Sequence, residues 1–222
     1  MNTKRRVTAL RVRKRNKKLV NVHLDGEQAF ALTAIQAARL HVGQTLTAEE
    51  IAALRAGDEA ERAYERALSL LSYRPRSESE VRGRLRRKQV EAEAIDTAIE
   101  RLKRAGLLDD LEFARYWIEN RLRFRPRGAR ALRHELRARG VPHPVISEAL
   151  EGYDEQAAAE KAALDGARRL AHLDPQAFRR RLGAYLARRG FNYAIVKPLV
   201  QDMLEQQASR EDEPEREVDS NG

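Results

Sequence analysis

The chain has 222 residues, 42% hydrophobic and 35% charged, and 43 Lys+Arg against 34 Asp+Glu leave a net charge of +9. The absence of cysteine excludes disulfides, thiolate metal sites and cysteine nucleophiles, and no stretch reaches the roughly 18 apolar residues of a membrane span. The basic balance points to nucleic acid, a nucleoprotein or another acidic surface as partner, although an arginine-rich genome gives the same balance with no binding role.

Met1-Asn2-Thr3-Lys4-Arg5-Arg6 is followed by no apolar h-region, as expected of a soluble, cytoplasmic protein. From 7 to 32 the hydrophobic period is near two. A strand over 7–13 precedes strands over 19–24 and 29–32, which meet across Asp25-Gly26, a hairpin signal because both turn residues need positive φ. Three strands are near the minimum for an independently stable sheet. Arg5, Arg6, Arg11, Arg13, Lys14, Arg15, Lys17 and Lys18 lie in or beside it with no acid before Asp25. They form either a solvated edge that resists aggregation or a second electrostatic footprint.

Beyond Leu32 the spacing is helical. A short helix is expected over 33–43, and a second opens on the capping box Thr47-Ala48-Glu49-Glu50 and ends before Gly57. Asp58 then caps a further helix to about Ser72. Ser77-Glu78-Ser79-Glu80 is another capping box, opening a helix through Arg87, and 91–105 forms the next, stopped by Gly106. Helices over 109–123, 127–139 (with Gly140 as stop) and 144–150 follow, then 155–171, 174–189 (with Pro175 in its first turn) and 192–206. From Ser209 onward six acids stand against two arginines with almost no apolar residue, a composition expected to be disordered and to lie over a basic face until a partner displaces it. The expected organisation is a β-rich region over 1–57, three-helix units over 58–106, 107–152 and 153–206, and an acidic tail over 207–222. The fold class is mainly α, a tandem array of three helix-turn-helix-like units behind a small β-rich piece.

The units repeat at an offset of 51. Tyr73-Arg74-Pro75-Arg76 returns as Phe124-Arg125-Pro126-Arg127, and Val81, Leu85, Val90, Ile95 and Ile99 match Leu132, Leu136, Val141, Ile146 and Leu150. The basic residues repeat as well: Arg74, Arg76, Arg82, Arg86 and Lys88 match Arg125, Arg127, Arg133, Arg137 and Arg139. In the third unit the offset becomes 50 and the apolar code continues as Leu182, Leu186 and Val196. Its basic positions, however, read Pro175, Ala177, Gly183, Ala187 and Arg189. A charge kept in register implies a periodic acidic partner for the first two units, and the third must present a different surface.

The run from Tyr73 to Arg82, then Gly106-Leu107-Leu108-Asp109-Asp110 with Phe113-Ala114-Arg115, then Arg125-Pro126-Arg127-Gly128 with Leu132, Leu136 and Gly140, resembles the RecX regulatory-protein family. The resemblance covers about residues 58–203 and is most specific over 73–140. It implies a non-enzymatic, monomeric modulator of RecA in homologous recombination and the SOS response. Such proteins are three tandem three-helix repeats that dock into the groove of the RecA-DNA filament and limit strand exchange, ATPase and coprotease activity, with weak direct contact to single- and double-stranded DNA. No cofactor is implied.

The candidate contact set is the ten repeated cations. Solvated faces, or ion pairs with Glu78, Glu80 or Glu135, are the alternative. Tyr73 and Phe124 are expected to pack between helices rather than to stack on bases, Trp117 with Ala114, Ile118 and Leu122 reads as core, and Asp109 and Asp110 read as a helix cap. The five histidines show no ligand spacing, and no Walker loop or nucleophile elbow is present, so no active site is expected. The rival reading is a direct helix-turn-helix DNA-binding protein.

Overall fold

A computed structural model describes residues 4–211. The N-terminal sheet comprises β1 (Arg5–Val12), β2 (Leu19–Leu24), β3 (Glu27–Thr33) and β4 (Thr45–Leu46), all antiparallel in the order β3-β2-β1-β4. Asp25 and Gly26 take φ of 53° and 91°, the left-handed pair that the β2–β3 turn requires. The fourth strand, absent from the expectation, is two residues long and pairs only with Arg5 and Arg6. Its approach is made by Gly43 (φ 95°) and Gln44, whose backbones exchange hydrogen bonds with Val7. That exchange shortens the expected helix over 33–43 to α1 (Ala34–Ala37).

Helix α2 (Ala48–Leu71) corrects the two helices expected on either side of Gly57. The Thr47–Glu50 capping box starts it as read, and it then runs straight through Gly57-Asp58 and through the expected boundary at 57/58. Tertiary contacts hold both residues within the helix. Gln36 Nε2 of α1 donates to Gly57 O at 3.2 Å, and a Cβ on Gly57 would make only ordinary contact with that amide, at 3.4 Å. Asp58 is buried and accepts from Thr33 N while pairing with Arg62 at 2.7 Å; it serves the sheet rather than a new helix start. Ile51 and Leu54 of α2 cover the sheet core of Val7, Val20, Val22, Leu24 and Leu32, whereas Ala63 and Ala67 join the first helical core.

Contacts divide the chain into two compact units, Met1–Asp109 and Asp110–Gly222. In the first, α2 packs with α3 (Glu78–Arg86) and α4 (Ala92–Arg104) around Val81, Leu85, Val90, Ile95 and Ile99. In the second, α5 (Asp110–Phe124), α6 (Ala129–Arg137) and α7 (His143–Ala149) enclose Leu132, Leu136, Val141, Ile146 and Leu150. There α8 (Glu155–Leu170), α9 (Pro175–Arg188) and α10 (Tyr193–Glu211) enclose Leu182, Leu186 and Val196 with Phe178 and Phe191. All five aliphatic pairs of the 51-residue offset, from Val81 and Leu132 to Ile99 and Leu150, are buried. The fold is thus mainly α, with three three-helix repeats behind a small antiparallel sheet. Helix α10 extends past the expected end at 206, with Met203 and Leu204 packed on its core and Gln207 donating to Ala171 O at 2.9 Å. The rest of the expected acidic tail, 212–222, lies outside the described residues.

The second and third repeats meet backbone to backbone. Gly128 N donates to Arg189 O at 3.0 Å, Arg189 Nη1 to Pro126 O at 3.0 Å and Tyr153 Oη to Arg127 O at 2.6 Å. Burial, reinforced by Glu155 and Asp154, pushes the Tyr153 phenol up to about 12, so it stays a donor. A Cβ on Gly128 would lie 2.1 Å from Gly190 O, a backbone atom with nowhere to retreat. Gly128→Ala should therefore destabilise the protein by about 1–3 kcal/mol in urea titration, the usual cost of overpacking. Gly83→Ala, in helix α3 with open space around its missing Cβ, should be neutral or stabilising. Equal effects of the two substitutions would contradict the close contact.

Candidate partner-binding surface

The ten repeated cations do not form one class. Five are held by the fold. Arg74 forks onto Glu80 at 3.1 and 3.2 Å and also donates to Pro75 O, while Arg76 Nε donates to Leu70 O at the end of α2. Burial, then the Arg74 charge, lowers the Arg76 pKa from its ordinary value. Arg82 bonds Glu78 at 2.7 Å within α3 and Asp96 on α4, joining the two helices, and Lys103 adds a second cation at 3.3 Å from Glu78. In the second repeat Arg127 lies 3.5 Å from Glu135, and Arg139 donates to Glu135 O while its guanidinium stacks 3.5 Å from the Trp117 ring.

The other five face solvent. Arg86, Lys88, Arg125, Arg133 and Arg137 are exposed, and among the described residues none has a side-chain hydrogen bond or ion pair. Substitution at the repeat offset explains the difference. The acids that bind Arg74 and Arg82, namely Glu78, Glu80 and Asp96, are replaced by Ala129, Ala131 and Ser147, so Arg125 and Arg133 have no carboxylate to meet. Glu135, where the first repeat has Arg84, instead collects Arg121 and the Trp117 indole N–H at 2.7 and 2.8 Å. Trp117 is accordingly a half-buried platform for Arg121 and Arg139 at the rim of the core.

Two exposed aromatics correct an expectation. Tyr73 and Phe124 do not pack between helices: they are 82% and 65% exposed. Tyr73 lies beyond Ser72, the C-cap of α2, and Phe124 ends α5, so neither has a following turn to cover it. Each precedes an arginine of the contact set, Arg74 or Arg125. Their hydrophobicity read as core in the sequence; only their place at the helix end identifies them as surface.

A basic cleft of about 480 Å³ runs between α6 and the end of α9. Arg130, Arg133, His134, Arg137 and Arg188 line it over a floor of Ala131, Ala187 and Gly190, with no carboxylate among the lining residues. The small floor follows from the backbone contact: a Cβ on Gly190 would stand 2.5 Å from that of Ala131. Arg188 comes from the third repeat; its match in the second repeat is Ala138 and in the first Arg87, so the charge is not kept through all three repeats. Arg189, the one cation the third repeat keeps, is occupied by Pro126 O and by the Tyr185 ring at 4.5 Å. Among the described residues there is no group of acids and histidines arranged to hold a metal, and no helix long and apolar enough to cross a membrane.

Comparison with known proteins meets this geometry repeat by repeat. Residues 63–102, 109–150 and 153–200 match the first, second and third three-helix domains of RecX. A regulatory protein RecX of Prosthecochloris aestuarii is 38% identical over 145 residues, 64% of this chain and 94% of that one. The chain belongs to the RecX family. A Clostridium botulinum RecX (strain Alaska E43) is 30% identical over 206 residues, covering 90% of this chain and 96% of its own. A crystal structure of regulatory protein RecX superposes with a TM-score of 0.72 at 26% identity, covering 89% of this chain and 99% of the other. The RecX structure from Lactobacillus salivarius shares the fold at a TM-score of 0.59 and 23% identity, over 66% of this chain and 97% of its own. RecX is a family of regulatory proteins and not of enzymes.

The held cations give the stability of this protein a pH dependence. Burial alone would raise the Glu78 pKa, but its bonds to Arg82 and Lys103 overcome that and hold it below the ordinary carboxylate value. A depressed folded-state pKa contributes stability that is complete above the unfolded value of about 4.3 and lost as pH falls through the folded one. Urea unfolding from pH 6 to pH 3 should therefore show the wild type losing an advantage over Glu78→Gln. A difference that does not change with pH would contradict the assignment.

Proposed function

We propose that this RecX-family protein binds the RecA-DNA nucleoprotein filament in its helical groove and lowers recombinase, ATPase and coprotease activity. It acts as a cytoplasmic monomer with weak direct contact to DNA. The observation that carries the reading is the outward set Arg86, Lys88, Arg125, Arg133 and Arg137: cations without a task inside the fold, drawn from both repeats, with Arg86 and Arg137 at the same repeat position. Outward charge on successive repeats fits an acidic partner, and forked guanidiniums suit both carboxylate and phosphate. Arg130, His134 and Arg188 stand beside Arg133 and Arg137 in the α6–α9 cleft. Tyr73 and Phe124 supply what charge lacks, since exposed aromatics covered on binding are typical energetic centres of protein interfaces. Arg74, Arg76, Arg82, Arg127 and Arg139 shape the surface by fixing helix ends and crossings.

A protein seated along the groove against successive subunits obstructs filament extension and restrains the subunit movements that ATP turnover needs. The ATPase of RecA on single-stranded DNA should fall on titration with this protein, and full activity at saturation would overturn the proposal. Tyr73→Ala and Phe124→Ala should each weaken inhibition about tenfold, near the 1–2 kcal/mol of a modest interface anchor, while thermal stability changes little. Unaltered inhibition by both would remove the aromatics from the interface.

A further inference from the structure

The β1–β2 loop carries charge that the helical repeats do not account for. Arg13, Lys14, Arg15, Lys17 and Lys18 occupy five of its six positions, and residues 11–18 are all exposed. We propose that this loop is a nucleic-acid contact in its own right, gripping the phosphodiester backbone independently of any RecA filament.

Charge is segregated along the hairpin. The acids of the sheet, Asp25 and Glu27, sit at the opposite end of β2 from the loop. Asp25 is already engaged there, with Arg5 Nε at 2.9 Å and Arg6 N at 2.9 Å, bonds that lower its pKa. Arg5 thus belongs to the acidic end, although in sequence it reads with the basic run. At about 3.3 Å per residue the intervening strand spans roughly 17 Å, beyond the Debye length of about 8 Å at physiological salt. Those acids therefore leave the field of the loop uncancelled. Asp58, tied to Thr33 beside the point where Ala34 N bonds Lys18 O, is buried and committed to Thr33 N and Arg62.

The loop is also ordered before any ligand arrives. Asn16 Oδ1 accepts from Lys18 N at 3.1 Å, Leu19 N bonds Asn16 O, Arg13 N bonds Leu19 O, and Arg13 Nε donates to Asn21 Oδ1 at 2.7 Å. A backbone fixed in this way gives up little entropy on binding. Protection of the sheet edge explains less of the pattern: β4 covers β1 only at Arg5 and Arg6, so Arg11 guards open strand, but the five loop cations lie beyond it. A membrane surface is a poor match, because Val12 is the one large hydrophobic exposed beside the loop. A dense row of donors with no free side-chain acceptor fits phosphodiester.

The test uses the full chain and labelled single-stranded or duplex DNA without RecA, with fluorescence anisotropy followed over a salt series. Replacing Lys14, Arg15, Lys17 and Lys18 by Ala should weaken binding at least about tenfold at low salt and lower the duplex log–log salt slope by about 3–4, near 0.9 per lost phosphate contact. A charge-matched variant with Arg169, Arg179, Arg180 and Arg181 replaced by Ala should stay close to wild type. The proposal is overturned if the loop variant binds as wild type or if the matched variant loses as much. It is also overturned if polyglutamate competes as well as DNA of equal charge, since the loop would then read carboxylates. Because RecA is absent, failure of the filament reading leaves this outcome unaffected.

Discussion

Carboxylates decide what the arginines of this protein do. Arg74, Arg82, Arg121 and Arg127 meet an acid and become part of the fold, Arg76, Arg139 and Arg189 are held by backbone carbonyls, and the arginines that meet neither face outward. Glu78, Glu80 and Asp96 hold Arg74 and Arg82 in the first repeat, and Glu135 gathers Arg121, Arg127 and the Trp117 indole in the second. Such half-buried pairs contribute modestly to stability, but they fix side chains that would otherwise sample many rotamers. The outward surface is what these pairs leave over.

The same substitutions that release arginines in the second repeat also admit the third. Ala129 and Ala131 stand where the first repeat has Glu78 and Glu80, and Ala131 packs against Gly190 beside the Gly128 contact. A glutamate at 131 would occupy the floor of the basic cleft with the wrong charge and too much volume. Small side chains there let α6 approach the end of α9 and bring Arg188 next to Arg133 and Arg137. The third repeat thus contributes by position: its single retained cation, Arg189, fastens the junction.

The fold was legible where a residue's task is local or periodic. Apolar matches at the offset located all three helical cores, and Asp25-Gly26 located the hairpin, because burial and positive φ leave direct marks in sequence. Tasks set by distant partners left no such mark. Gly57-Asp58 has the composition of a helix break, and the Gln36 amide and the Thr33 N–H, both distant in sequence, tie it into mid-helix packing. Strand β4 is two residues long and exists through its pairing with Arg5 and Arg6. At the surface, the offset identified the basic positions but gave all ten equal standing. Comparing the acids at that same offset separates much of the held set from the outward set; Tyr73 and Phe124 needed the helix ends themselves.

The central claim is that outward cations bind while held cations build. Equilibrium binding to RecA filaments on single-stranded DNA, measured beside thermal stability for two variants, tests it most directly. Replacement of Arg86, Lys88, Arg133 and Arg137 by Ala should weaken filament binding by more than about tenfold with melting temperature unchanged, whereas Arg82→Ala should lower the melting temperature and leave the affinity of the folded protein nearly intact. The opposite pattern, with affinity lost through Arg82 and kept without the outward four, would contradict the account.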